Sequence, residues 1–137
     1  MELSFKTEVQ ADEQAIWPFY ADPSKRGIWE EDLENLTFDG AVKTGTTGKM
    51  KLKGMPEMHF TLIRVVPYAS YWDQTEVPGI GSLIFGHDII RENDRIAIQH
   101  TVCLKKEQAS GDDLTFLNGV FADVPQAVLK IKNEVES

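Results

Sequence analysis

Residues 110–137 read SGDDLTFLNGVFADVPQAVLKIKNEVES. Within this stretch Leu114, Leu117, Phe121, Val124, Val128, Ile131 and Val135 recur at alternating steps of three and four, the period of one helix face. Ser110-Gly111-Asp112 supplies the start, because a serine hydroxyl can take one of the amides that the first helical turn leaves free. An apolar stripe of this length requires an apolar partner surface. A second helix in a coiled coil is one such surface, but Gly119 and Pro125 interrupt the heptads that a coiled coil needs. A sheet crossed lengthwise fits better. Pro125 lacks the amide that would bond to the carbonyl of Phe121, yet the stripe stays in phase to Val135, so the sequence predicts a kink rather than an end.

The sheet is legible upstream. Leu3, Phe5, Thr7 and Val9 alternate with Ser4, Lys6, Glu8 and Gln10, the period of a half-buried strand. Asp12 then caps a short helix carrying Ala15, Ile16, Phe19 and Tyr20, which Pro18 ends or distorts, and Asp22-Pro23-Ser24 begins a second short helix reaching Trp29. From about Leu33 onward strand patterns dominate. Leu36 and Phe38 alternate with polar residues; Gly48, Met50 and Leu52 alternate with Lys49, Lys51 and Lys53; Met58, Phe60 and Leu62 open a strand ending near Pro67. Further strands run through Tyr71 to Val77, Ser82 to Arg91 and Arg95 to Lys105, with turns at Pro78-Gly79 and Asn93-Asp94. No repeat, low-complexity tract or linker interrupts the chain, so one domain over residues 1–137 is expected.

Bulk properties narrow the partners. Among 137 residues, 14 Lys and Arg stand against 22 Asp and Glu, a net charge of -8. Phosphate backbones need a clustered basic surface, and these scattered cations do not form one, so nucleic acid is not an expected partner. Cys103, the only cysteine, lies in the apolar run Thr101-Val102-Cys103-Leu104 and reads as structural. The opening Met1-Glu2-Leu3-Ser4-Phe5 lacks the basic and apolar regions of a secretion signal. No apolar run approaches the roughly 20 residues that span a bilayer. A cytoplasmic location without membrane insertion follows as the expectation.

Two histidines carry the sharpest local inference. If the hairpin turns at Asn93-Asp94, Arg91 pairs with Ile96, Ile89 with Ile98, and His87 with His100. Both imidazoles then share a face with Phe85, Ile89, Ile98 and Val102, which should be the inner one. Such a pair on an apolar wall is costly unless hydrogen-bonded, and the rings repel if both are protonated. Either they anchor a ligand or transfer protons, or they are satisfied core histidines. No third metal ligand accompanies them, and neither metal nor cofactor is expected. The hairpin at Pro78-Gly79 is expected to set Trp72 opposite Phe85 and Gln74 opposite Leu83, adding both to the inner face. Met50, Met58 and Phe60 are inward candidates from earlier strands, and Phe121 from the helix. The expected ligand-binding set is thus Met50, Met58, Phe60, Trp72, Gln74, Phe85 and Phe121, with His87 and His100 as the candidate catalytic pair. No carboxylate is evident inside. Glu30, Glu31, Asp32 and Glu34 form a charge cluster that is solvated or guards a cavity mouth. The glycines from Gly40 to Gly48 lack the Gly-Lys-Ser/Thr ending of a phosphate loop, and His59 has surface parity.

The order strand, two short helices, six strands, long helix resembles the START-like (SRPBCC) superfamily, and within it the polyketide cyclase/dehydrase-like proteins. The likeness rests on Val9-Gln10-Ala11-Asp12-Glu13-Gln14-Ala15-Ile16-Trp17, on Asp22-Pro23 with Trp29, and on Gly40, Gly45 and Gly48. His87-Asp88-Ile89, the strand Ile96 to Val102, and Val124-Pro125-Gln126-Ala127-Val128-Leu129-Lys130 with Glu134 complete it. The resemblance implies an α+β helix-grip fold: a curved seven-stranded antiparallel sheet around a long C-terminal helix, with two short helices between strands 1 and 2. It also implies a ligand cavity between sheet and helix. Because the superfamily includes lipid carriers, cyclases, hydrolases and receptors, fold alone does not fix activity. The leading expectation is a binding or carrier domain for a small, largely apolar or aromatic molecule, possible as a homodimer. The alternative is a cyclase- or dehydratase-type enzyme using the histidines for proton transfer. A regulator that binds a protein through its acidic surface is a third.

Overall fold

A computed structural model describes residues 1–137. Its seven strands are β1 (Glu2–Val9), β2 (Leu33–Phe38), β3 (Thr47–Leu52), β4 (Met58–Val66), β5 (Ser70–Val77), β6 (Gly81–Glu92) and β7 (Arg95–Lys105). They form one antiparallel sheet in the order β1-β7-β6-β5-β4-β3-β2. Chain-adjacent strands pair throughout, except that β1 closes against β7. Register shifts between Leu62 and Arg64 and between Leu33 and Asn35 break the even ladder, a device that bends strands and lets a sheet curl.

The two short helical segments between β1 and β2 behave as their prolines dictate. The first is split at Trp17 into α1 (Glu13–Ile16) and α2 (Pro18–Ala21), and the second is α3 (Pro23–Arg26). Asp12 accepts from the Ala15 amide and Asp22 from the Ser24 amide, so both segments start on a carboxylate cap. The C-terminal helix comprises α4 (Gly111–Phe121) and α5 (Val124–Glu136). Ser110 and Asp113 bond reciprocally as a capping box at its start.

The kink expected at Pro125 is instead a two-residue interruption at Ala122 and Asp123, after which α5 begins anew. Pro125 falls in the first turn of α5, where an amide would lack an intrahelical acceptor anyway. The apolar stripe survives the break. Leu117 packs with Leu83, Val102 and Leu104 in one cluster, while Val128 and Ile131 join Val9, Ile98, Leu62 and Tyr71 in the other. Leu114, expected on the stripe, is 43% exposed, although its neighbour Asp113 in the same turn is buried.

Register decides which side chains face this helix. The β6–β7 turn places Asn93 and Asp94 at φ of 50° and 66°, the pair of left-handed residues that a two-residue hairpin turn demands. Arg91 then pairs with Ile96 and His87 with His100. The β5–β6 connection differs from expectation. Val77 pairs with Gly81, so three residues rather than two make the turn. Trp72 consequently sits opposite Gly86, not Phe85, and Gln74 opposite Ile84, not Leu83. One added residue moves a whole strand's side chains to the other face. Trp72 and Gln74 are therefore on the outer face: Trp72 Nε1 donates to Asp88 at 3.0 Å, and Gln74 Nε2 to Glu76 at 2.9 Å. The Trp72 ring lies over Gly86, where a β-carbon would stand 2.4 Å from it. Tyr71, Asp73 and Thr75 take the inner positions instead.

Candidate functional site

Between the inner face of the sheet, α3 and the start of α5 lies a cavity of about 570 Å³. Met50, Leu52, Phe85, Val102, Val124 and Ala127 supply its apolar lining; Arg26, Asp73, His87, His100 and Thr101 supply polar groups. At the mouth stand Glu31, Asp32 and Asp123, all exposed, with Lys130. The volume is in the range of small-molecule sites, which are mostly apolar with a few placed polar groups.

His87 is 5% and His100 3% exposed, and their rings meet edge-on with centroids 4.7 Å apart. His87 Nδ1 lies 2.8 Å from the Tyr71 carbonyl oxygen. A carbonyl only accepts, so Nδ1 carries the proton and Nε2 keeps its lone pair. His100 Nε2 is 2.9 Å from the Tyr20 hydroxyl. Burial, and then the positive charge of Arg26, hold His87 down to about 3. Burial, then His87 and Arg26, keep His100 well below the ordinary imidazole value. Both rings are neutral near pH 7. Trp29 and Tyr20 close around them with ring centroids 5.3 to 5.8 Å apart, forming an aromatic cluster.

Beside this cluster is a charged group of two elements. Arg26, at the end of α3 and 2% exposed, donates to Glu30 at 2.6 Å and to the Tyr71 hydroxyl at 3.0 Å. Its guanidinium also lies over the rings of Trp29 and Tyr71, 4.9 and 5.1 Å from their centroids. Burial opposes its charge, but Glu30, Tyr71 and Asp73 outweigh that and keep it protonated. Asp73, on β5 and 6% exposed, has no such satisfaction. Its Oδ1 is buried without a hydrogen-bond partner, as are Arg26 Nε and Thr75 Oγ1. Burial pushes the Asp73 carboxyl up to about 7, against the pull of Arg26, which does not hydrogen-bond to it.

Of the residues anticipated from sequence, Met50, Phe85, His87 and His100 border the cavity. Met58 pairs with Met50 across β3–β4 but lies outside the lining. Phe60 is buried in the core, edge-on to Phe38 at 5.9 Å, and Phe121 packs on the cluster of Leu83 and Leu117. Trp72 and Gln74 face away. Sequence reasoning missed Arg26, Trp29, Tyr71 and Asp73 as site residues, and Asp73 is an inner carboxylate that the sequence does not reveal. The recoverable signal was Gly86, the one small residue in β6 able to accommodate Trp72.

No family model matches the chain, and no curated protein is similar to it in sequence. Solved structures are similar in fold. The Aha1 dimer from Colwellia psychrerythraea has a TM-score of 0.71 at 13% identity, over 99% of this chain and 96% of that one. Ara h 8.0201 has a TM-score of 0.72 at 9% identity, over 98% and 97% of the two chains. DynU16, from the dynemicin biosynthetic locus, has a TM-score of 0.69 at 10% identity; 98% of this chain matches 48% of that one. At these identities the likeness is one of architecture: the chain has the α+β helix-grip fold, a curved seven-stranded antiparallel sheet holding a C-terminal helix.

Proposed function

We propose that the chain is a single binding or carrier domain for a small, largely apolar or aromatic molecule held between sheet and C-terminal helix. The observation that carries this reading is the cavity of about 570 Å³, whose apolar walls end on a compact set of buried polar groups. An apolar body would bury against Met50, Leu52, Phe85, Val102 and Val124. Its polar end would meet Asp73 and the bare Nε2 of His87. A structural neighbour that is a dimer makes a homodimer part of the same reading, open to sedimentation analysis. Native mass spectrometry of the purified protein tests the binding role. A stoichiometric non-covalent adduct of a few hundred daltons supports it. A bare protein that also fails to take up an apolar dye, with Trp29 fluorescence unchanged, refutes it.

A second reading, an enzyme of the cyclase or dehydratase kind, is favoured by one observation: a buried, unpartnered carboxyl lines the same cavity as two hydrogen-bonded imidazoles. On that reading the proton-transfer group is Asp73. His87 and His100 are depressed too far to act as acids near pH 7, and they orient instead. Asp73→Asn that retains ligand affinity but loses turnover is its signature.

A further inference from the structure

The charges around the cavity are unequally matched. Of its two cations, Arg26 is paired with Glu30 and Lys130 with Glu31, both partners belonging to the same lining. Three further carboxylates, Asp32, Asp73 and Asp123, have no cationic partner. Two of these are exposed at the mouth and hydrated at little cost. Asp73 is different: it is more than nine-tenths buried, borders the cavity, and leaves Oδ1 without a donor. A buried ionised carboxylate is stable only when paired and hydrogen-bonded. Arg26 acts on Asp73 without bonding to it, so what is missing is a positive group that donates to the carboxylate directly.

We propose that the cavity takes a ligand whose polar end is a protonated amine, with Asp73 as its counter-ion and an apolar or aromatic body against the sheet. This rests on the reading of the cavity as a small-molecule site and adds the ligand's charge. An ammonium group offers up to three donors. Asp73 accepts one, and the Nε2 lone pair of His87, fixed by its bond to the Tyr71 carbonyl, is available for another. Arg26 does not take the amine's place: Glu30 and the Tyr71 hydroxyl hold its two terminal nitrogens, and its Nε, although without an acceptor, makes no hydrogen bond to Asp73. The mouth residues Glu31, Asp32 and Asp123 favour approach of a cation and oppose an anion. A neutral hydroxyl could donate to Asp73 but would leave its charge unmatched. A carboxylate ligand would meet a bare carboxyl on arrival.

Three probes with one body separate these cases: 2-naphthylmethylamine, 2-naphthylmethanol and 2-naphthoate, titrated calorimetrically into the protein and into Asp73→Asn at pH 8. The amine should bind the protein at least about tenfold tighter than the alcohol, and the naphthoate weakest, as expected for a desolvated charge pair. Asp73→Asn should erase the amine's advantage while leaving the alcohol within about threefold. A second arm needs no variant. The groups facing Asp73 are Arg26, which stays charged, Glu30, and the neutral His87, His100 and Tyr71. Lowering the pH from 8 to 6 should therefore protonate Asp73 and weaken the amine about tenfold, with no such loss for the alcohol. An alcohol or naphthoate that binds as tightly as the amine overturns the amine proposal and leaves the cavity reading intact. An amine preference that persists in Asp73→Asn does the same. If none of the three binds, the cavity reading falls and the amine proposal with it.

Discussion

Replacing Asp73 by Asn should make the protein more stable at neutral pH and not at acid pH. Folding raises this carboxyl from 3.8 to about 7, burial being the largest cause and Arg26 only partly opposing it. Between those values the folded chain holds a proton that the unfolded chain has released. The stability this supplies is complete below about 4 and is lost as the pH rises through 7. Each pH unit across that window carries about 1.4 kcal/mol, so the full loss is about 4 kcal/mol, less if the interior relaxes around the charge. Asparagine has nearly the same shape and never ionises. Urea unfolding of both proteins at half-unit steps from pH 4 to pH 8.5 measures the difference, in which the titrations of all other groups cancel. The expected curve is already rising at pH 4, diverges by about 1 kcal/mol per pH unit, and levels above pH 7 with the asparagine variant about 3–4 kcal/mol the more stable. A difference independent of pH, or a variant less stable at pH 8, would mean that Asp73 has an ionic or hydrogen-bonded partner when folded.

Other substitutions probe the surrounding groups. Arg26→Met should raise the Asp73 carboxyl further above 7, since Arg26 is what lowers it, and should cost roughly 3–5 kcal/mol by stranding Glu30; carbon NMR of the carboxyl and urea unfolding read the two effects. The ring protons of His87 and His100 should show no titration between pH 5 and 8; the stability from keeping them neutral is present above about 6.5 and lost as the pH falls below it. A midpoint near 6.5 for either would contradict their burial. Gly86→Ala sets a β-carbon 2.4 Å from the Trp72 ring and should cost about 1–3 kcal/mol, most of it recovered in the Trp72→Leu background. Trp72→Ala should leave ligand affinity unchanged, because the ring lies on the outer face.

What could be read from the sequence, and what could not, follows from how tightly each feature is fixed locally. The β6–β7 register was legible because Asn93-Asp94 admits a two-residue turn with both residues left-handed, and one turn then sets every pair out to Ser82 and Lys105. Pro78-Gly79 carries no such constraint. Proline fixes its own φ, and glycine accepts either sign, so two- and three-residue loops are both compatible, with Gly81 at φ 143° absorbing the extra residue. That single ambiguity hid Asp73 and Tyr71 and wrongly brought Trp72 and Gln74 inside. Arg26 was hidden for another reason. It lies in a four-residue helix, too short to show a periodicity, and its inward facing depends on Tyr71, which is 45 residues away in sequence.

Ordinary patterning rules account for the apolar walls, because a helix stripe and alternating strands would pack together with or without a ligand. They do not account for Asp73. Asparagine or serine at that position would remove the cost of ionising a carboxyl there, while leaving the strand's alternation and its pairing with Phe85 intact. Nor do they account for Arg26, whose charge is drawn inside and then neutralised by Glu30 four residues on, with Nε still unpartnered. Local rules are thus broken at neighbouring points of one cavity, with open hydrogen-bonding capacity at each, which is the basis of the proposed site. The histidine pair, although chemically conspicuous, has one nitrogen of each ring held, by the Tyr71 carbonyl and the Tyr20 hydroxyl, and leaves over Nε2 of His87 and Nδ1 of His100. On the proposed reading of the cavity, a ligand that binds should therefore meet the Asp73 carboxyl first and the histidine second.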